Sequence, residues 1–299
     1  MSAVEIRGLT KRFRTRTAVD DLTFDVARGA VTGFLGPNGA GKSTTLRMLL
    51  GLTRPTAGRA TVLGAAYPEL DAPARRVGAV LETDSLHPGR RGRDHLRIVA
   101  RAAGLPPARV DEVLAVVGLT ADAGRRVRTY SLGMRQRLGL ATALLGDPEV
   151  LILDEPTNGL DPVGVRWLRD FLRARAATGR TVLLSSHLLS EVALTADHVV
   201  IISQGRLVAQ DEVAALTGSE EVRVHSPHAD RLLELLHLEG IDARALADGA
   251  VLATGTAPRS VGDVAARHGV VVEELRSTRR SLEDVYLELT AASAAGGSR

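Results

Sequence analysis

The chain has 299 residues, 44% of them hydrophobic, no cysteine, and a net charge of only +3. That length holds one large domain or a main domain with a small companion, and the apolar share is ordinary for a globular core. The lack of cysteine excludes disulfides, thiol catalysis and Cys-ligated zinc; there is no signal-peptide pattern and no apolar run near the roughly 20 residues that span a bilayer, so a soluble protein of a reducing compartment is expected. The arginines are scattered among acids and alanines without an aromatic-interleaved basic stripe, which argues against a nucleic-acid partner.

Residues 4–28 alternate short β-like runs, Val4-Glu5-Ile6-Arg7 and Leu22-Thr23-Phe24-Asp25-Val26, around polar turns, as an antiparallel edge sheet would. Val31-Thr32-Gly33-Phe34-Leu35 is a short buried strand. It runs into Gly36-Pro37-Asn38-Gly39-Ala40-Gly41-Lys42-Ser43-Thr44, which has glycines at the first and sixth positions followed by Lys and Ser. Gly39 adds another position without a side chain, so backbone N–H groups can close around phosphate oxygens. Lys42 brings a point charge to the terminal phosphates, and the Ser43 hydroxyl is suited to Mg²⁺. Residues 43–50 suit a helix whose N-terminal dipole faces the phosphates. Only two lysines occur, Lys11 and Lys42; in a chain that otherwise uses arginine, the loop keeps the compact cation that fits between phosphate oxygens.

Residues 92–146 favour helices, with Pro106-Pro107 starting one, Gly118 ending it and Ser131 capping another. Val150-Leu151-Ile152-Leu153, Thr181-Val182-Leu183-Leu184 and Val199-Val200-Ile201-Ile202 read as strands buried on both faces of a mainly parallel sheet. The first ends in Asp154, placed to hold Mg²⁺, and Glu155, placed to polarise an attacking water. His187 follows the second strand within reach of a γ-phosphate; taken alone it reads as a strand-end histidine. After about residue 217 the pattern changes. A strand at 222–225, a leucine-rich helix at 229–239, a hairpin (241–247 and 250–254) turning at Asp248-Gly249, a helix at 259–268 and a strand at 270–276 give a β-α-β-β-α-β order, the split ferredoxin-like arrangement. A last helix, Ser281 to Thr290, opens with a capping-box-like Ser-Leu-Glu-Asp, and the tail 291–299 is expected to be disordered.

From residue 3 to about 215 these motifs resemble the nucleotide-binding subunit of an ABC transporter. In that resemblance Phe13 is the aromatic that stacks on adenine, Gly36–Thr44 the Walker A loop, and Val150–Glu155 the Walker B strand with its catalytic glutamate. Gly159-Leu160-Asp161 matches the D-loop and His187 the switch histidine. Tyr130-Ser131-Leu132-Gly133-Met134 stands in place of the signature Leu-Ser-Gly-Gly-Gln: Ser131 and Gly133 match, whereas Tyr130, Leu132 and Met134 depart from it. The signature's logic is a serine-capped helix N-terminus whose backbone donors meet the γ-phosphate held by a neighbouring subunit. Glu82 stands where most relatives have the Q-loop glutamine; a carboxylate there can touch Mg²⁺ or water. Both departures, with the ending Leu282-Glu283-Asp284-Val285-Tyr286, resemble the bacitracin- and multidrug-exporting subfamily.

The resemblance implies an α/β P-loop NTPase core at 1–217, with an antiparallel β subdomain and a helical subdomain at about 92–146, followed by a small α+β domain at 218–290. It implies an ATP hydrolase using ATP and Mg²⁺, working as a homodimer or pseudo-homodimer that sandwiches two nucleotides. A separate bacterial membrane permease would bind it at the cytoplasmic face through the loop around Glu82–Leu96, and the ATPase would drive that permease in drug or antibiotic efflux. The alternative is a soluble ABC ATPase acting on nucleic acid or ribosomes; the fused second ATPase domain or long coiled-coil insertions of such relatives are not seen in the sequence.

Overall fold

The computed structural model describes residues 2–81, 86–218, 221–278 and 281–296. In chain order the first elements are β1 (Ser2–Phe13), β2 (Arg16–Ala27), β3 (Val31–Leu35), α1 (Lys42–Leu49), β4 (Ala57–Val62), α2 (Pro73–Arg76) and β5 (Val77–Val80). Three helices follow, α3 (Gly92–Ala102), α4 (Ala108–Val116) and α5 (Leu132–Leu144), inside the stretch read as helical from sequence. Then come β6 (Val150–Asp154), α6 (Pro162–Ala177), β7 (Thr181–Ser186), α7 (Leu189–Thr195), β8 (His198–Ser203) and β9 (Arg206–Glu212). The rest comprises α8 (Val213–Thr217), β10 (Glu221–His225), α9 (Ala229–Leu238), β11 (Asp242–Ala245), β12 (Val251–Thr254), α10 (Pro258–Arg267), β13 (Glu274–Thr278) and α11 (Leu282–Gly296).

The three apolar runs and Val31–Leu35 form the centre of one sheet of order β5-β6-β7-β3-β8-β9, with β5 through β8 parallel. Every residue of β3 is buried, as is expected of a strand with helices on both faces. The edge strands β1, β2 and β4 make a separate antiparallel sheet of order β2-β1-β4. Phe24 of that sheet meets Phe34 of β3 at 5.2 Å between ring centroids, so the two sheets share one core. Glycine sets two close approaches of helix to sheet. A Cβ on Gly33 would lie 2.4 Å from Val192 of α7, and one on Gly78 would lie 2.2 Å from the Ala143 carbonyl of α5.

The chain divides into two compact units: one runs to Asp211 and includes the stretch from Leu289, the other is Glu212–Glu288. The division falls ahead of the expected boundary at 217. In the second unit the sheet order is β11-β12-β10-β13 with all neighbours antiparallel, which is the ferredoxin-like arrangement of its six elements. Val222, Val224, Val251 and Ala253 face Leu232, Leu236, Val261 and Val264 of the helices. The last strand begins at Glu274, not at 270, because its register is pinned by pairing His225 with Glu274, while Val270 is drawn into the helix-side core. Ser281 caps α11 as its sequence suggests, accepting from the Asp284 amide and donating to the Asp284 carboxylate. The helix then runs to Gly296, through part of the tail expected to be disordered; Ala291, Ala292, Ala294 and Ala295 are strong helix formers and extend it. Residues 297–299 lie outside the described residues.

One acid ties the base of the sheet together. Asp147, at a φ of 50° between α5 and β6, accepts from Arg175 (2.6 Å) and Arg180 (2.7 Å), fixing the end of α6 and the start of β7 beside the base of β6. Burial works to raise its carboxyl, but the Arg175 hydrogen bond and the charges of Arg175, Arg180 and Arg109 hold it below the usual carboxylate range. Its folded value thus lies below its unfolded value near 3.9. The contribution is present above about pH 4 and fades as pH falls through the folded value. In urea titrations Asp147→Asn should be less stable than the parent at neutral pH, with the two converging toward about pH 3; a constant difference across that range would contradict this. Gly78→Ala should cost about 1–3 kcal/mol in the same assay, because α5 must be pushed off the sheet.

Candidate functional site

The turn after β3 is shaped by backbone on both sides. Gly39 and Gly41 have φ of 81° and 105°, a region that favours glycine. A Cβ on Gly41 would come within 2.5 Å of the Ala18 carbonyl, and one on Gly36 within 2.6 Å of the Ile202 carbonyl. The loop therefore threads between β2 and β8 into the start of α1. Lys42, the first residue of α1, is buried; its Nζ donates to the carbonyl oxygens of Gly36 (2.6 Å) and Pro37 (3.4 Å) and lies 3.5 Å from Glu155 Oε1. Ser43 is exposed beside it.

Because β6, β7 and β3 are neighbours, their C-terminal ends deliver the remaining groups to the same edge. Asp154 accepts a short hydrogen bond from Ser185 Oγ. Glu155 has a φ of 49°, a conformation that costs a non-glycine residue about 1–3 kcal/mol. It is held there by its amide, which donates to the Ser185 carbonyl (3.2 Å) and to Ser185 Oγ (3.0 Å). One carboxylate oxygen of Glu155 meets His187 Nδ1 at 2.7 Å; the other is buried, has no hydrogen bond, and faces Lys42. Ser185 is thus a positioning residue that sequence reading passed over. Its signal was a serine, not another aliphatic, closing an apolar strand.

Phe13, Arg16, Ala18, Pro37, Asn38, Gly39, Gly41, Lys42, Ser43, Thr44 and Glu155 line one cleft. Ala40 is buried beneath the loop. Phe13 is 49% exposed, with Lys11 Nζ 4.9 Å from its ring centroid. Arg16 pairs with Phe13 across the β1–β2 turn and donates to the Gly39 carbonyl (3.2 Å), a second cation at the loop that the sequence did not single out. Ser43 and Asp154 offer hard oxygen donors of the kind Mg²⁺ takes alongside phosphate and water, so the residues present fit that ion. Glu82 lies outside the described residues.

Ser131, Leu132, Gly133, Met134 and Asp161 do not line this cleft. Ser131 caps α5, accepting from the Met134 amide (3.2 Å), and Asp161 caps α6, accepting from the Gly164 amide (2.8 Å). Tyr130 is buried, its hydroxyl donating to the Asp122 carbonyl (2.8 Å), and it rests so closely on Gly92 that a Cβ there would lie 2.3 Å from the hydroxyl. Burial, then the Asp122 charge, raises its phenol above the usual value. This departure from the signature pattern anchors the capped helix end to α3.

A single chain therefore carries a phosphate loop and Glu155 in one cleft, with His187 bonded to the Glu155 carboxylate and a capped helix end elsewhere. A model of the ABC transporter family matches residues 19–158. An uncharacterised ABC transporter ATP-binding protein of Bacillus subtilis, YhcH, is 39% identical over 97% of this chain and 96% of its own length. The chain belongs to the ABC transporter ATP-binding proteins. It is an ATP hydrolase and binds ATP. Other ABC ATP-binding proteins similar to it include the bacitracin transport protein BcrA of Enterococcus faecalis, 33% identical over 96% of both chains, and the daunorubicin resistance protein DrrA3 of Streptomyces coeruleorubidus, 38% identical over 97% and 96%. A solved ATP-binding subunit of an ABC transporter superposes with a TM-score of 0.68 at 26% identity, covering 97% of this chain and all of that one. A dimeric cassette in a post-hydrolysis state with ADP and Pi shares the fold at a TM-score of 0.64, covering 71% of this chain and 99% of its own, at 20% identity. Residues 220–283 match a domain of unknown function.

Phe13→Ala should weaken ATP binding by roughly 0.5–1.5 kcal/mol through loss of a stacking face. Arg16→Ala should weaken it by removing a cation beside the loop. Titration with a fluorescent ATP analogue reads both; unchanged affinity in either would remove that residue from the nucleotide cleft.

Proposed function

We propose that the chain is the ATPase subunit of a bacterial exporter, working as a head-to-tail homodimer or pseudo-homodimer at the cytoplasmic face of the membrane. Each Mg·ATP would be held by one chain's Phe13 and Gly36–Thr44 and completed by the Ser131 helix end of the other. Supporting this is the separation on one chain of the phosphate cleft from the capped N-terminus of α5, a helix end that offers backbone donors to an anion. In this reading Ser43 and Asp154 hold Mg²⁺, which supplies charge neutralisation at the phosphates. Glu155 orients the attacking water, His187 steadies Glu155 and the transferring phosphate, and Asp161 sets the turn between the two halves.

The power stroke needs a membrane partner; no helix among the described residues is long and apolar enough to cross a bilayer. A groove lined by Leu50, Leu52, Tyr67, Leu81, Leu86 and His95 suits an amphipathic helix of a permease, and it adjoins the loop expected to couple. His95 Nε2 meets Thr142 Oγ1 at 3.1 Å, and its buried Nδ1 is unpaired. Burial and the Arg90 charge lower its pKa, so it offers a neutral polar contact within an apolar groove. The relatives named for bacitracin transport and daunorubicin resistance support an amphiphilic antibiotic or drug as cargo.

Glu155→Gln should keep ATP binding, lose hydrolysis by roughly 10²–10⁴-fold and accumulate as an ATP-bound dimer on size-exclusion chromatography. Near-normal turnover by that variant would remove the role given to Glu155. Co-purification with a multi-span membrane protein tests the exporter assignment; capture of ribosomes or DNA instead would overturn it.

A further inference from the structure

The segments 88–93 and 123–128 hold six arginines and no acid between them. They lie well apart in sequence, and the fold lays one along the other as a short antiparallel ribbon. The Arg128 amide donates to the Pro88 carbonyl (2.9 Å), the Val127 amide to the Arg90 carbonyl (2.8 Å) and the Gly92 amide to the Arg125 carbonyl (3.2 Å). Arg91 and Arg126 stand opposite each other across it. Val127 and Tyr130 are buried and anchor the ribbon, whereas Arg90, Arg91, Arg126 and Arg128 are exposed.

Two of the six arginines have acids of their own. Arg93 pairs with Asp111, and Arg125 with Asp122 at 2.6 Å. Arg90, Arg91, Arg126 and Arg128 have no acidic partner among the described residues. Like charges set opposite each other on paired strands repel, so the ribbon collects charge that the fold itself does not neutralise. A chain whose net charge is only +3 thus gathers four uncompensated guanidinium groups in one place. The ribbon also adjoins the apolar groove. Leu86 lines that groove, and the turn after it is closed by the Arg90 amide, which donates to the His87 carbonyl (3.2 Å). Arg90 is near enough to His95, another groove residue, for its charge to depress the pKa of that imidazole.

We infer that Arg90, Arg91, Arg126 and Arg128 form a docking patch for the anionic headgroups of the membrane in which the permease sits. Guanidinium groups suit that occupant, since each offers paired donors to phosphate oxygens and keeps its charge at physiological pH. The potential of an anionic leaflet attracts exposed basic residues and fades within a Debye length, so the contact is short in range and sensitive to salt. Tyr130, which closes the second segment, is buried with its hydroxyl on the Asp122 carbonyl and gives a nucleic-acid base nothing to stack on. The choice of lipid as occupant rests on the exporter reading.

The test is flotation of the full chain, without permease, on vesicles of phosphatidylcholine alone or with about 30% phosphatidylglycerol. The parent should bind the anionic vesicles, leave the neutral ones, and lose its binding as salt rises. Arg90→Gln/Arg91→Gln and Arg126→Gln/Arg128→Gln should each weaken anionic binding roughly 10- to 30-fold, about 5-fold per arginine. Arg126→Lys/Arg128→Lys should retain most of it. Thermal melting and ATP-analogue binding should match the parent in the Arg126→Gln/Arg128→Gln chain, which separates lost charge from lost fold. Equal binding to both vesicle types, or anionic binding that survives all four substitutions to Gln, overturns the patch. Variants that float like the parent but no longer co-purify with a multi-span protein assign the ribbon to an acidic stretch of the permease, which also overturns it. A parent chain that ignores vesicles yet co-purifies with such a protein removes the lipid contact and leaves the exporter reading standing. Retention on DNA in place of either removes both.

Discussion

A lysine ammonium and a glutamate carboxylate face each other 3.5 Å apart at the edge of a buried parallel sheet, and the rest of the site is arranged around them. Both charges are largely withdrawn from water, and neither is tolerable there alone. Lys42 spreads its donors over the carbonyls of Gly36 and Pro37; Glu155 shares one oxygen with His187 and leaves the other toward Lys42. A triphosphate entering the cleft offers Lys42 stronger acceptors than those carbonyls. In the proposed function it would also leave Glu155 with a different neighbour, freeing the carboxylate to act on water.

The constraint reaches outward from that pair. Glu155 sits in a left-handed conformation that only tertiary contacts sustain, and Ser185 on the adjacent strand supplies them twice over, through its carbonyl and its hydroxyl. The strand neighbours β6 and β7 must therefore keep register at their C-terminal ends, and Asp147 with Arg175 and Arg180 fastens the opposite ends of the same strands. The phosphate loop is equally dependent, since Gly36 and Gly41 fit only because β8 and β2 present carbonyls where any side chain would collide. The second compact unit has its own core and topology.

Much of the site was legible because its chemistry is local in sequence. A nine-residue loop, a strand ending in two carboxylates and a serine at a helix start each carry their meaning within a few residues. The ferredoxin-like order was legible from alternation and from leucine spacing. The start of β13 was not, because Val270, Val271 and Val272 look like strand, whereas pairing with β10 decides which residues join the sheet. The extension of α11 was missed for the opposite reason: a small-residue tail reads as disorder, yet alanine propensity carries the helix on.

By itself, the sequence determined the chemistry available: a phosphate-binding loop with one lysine, hard oxygen ligands, a carboxylate with a histidine, and a capped helix end. These are properties of residue types at short spacings, which covalent connection guarantees. Only the tertiary structure decided which of them meet. It placed Arg16 beside Phe13, made Ser185 the support of Glu155, set Leu132 on Gly159 and kept Ser131 out of its own chain's cleft. Those contacts join residues far apart in the chain or depend on positive-φ turns and strand register, which local propensity does not encode.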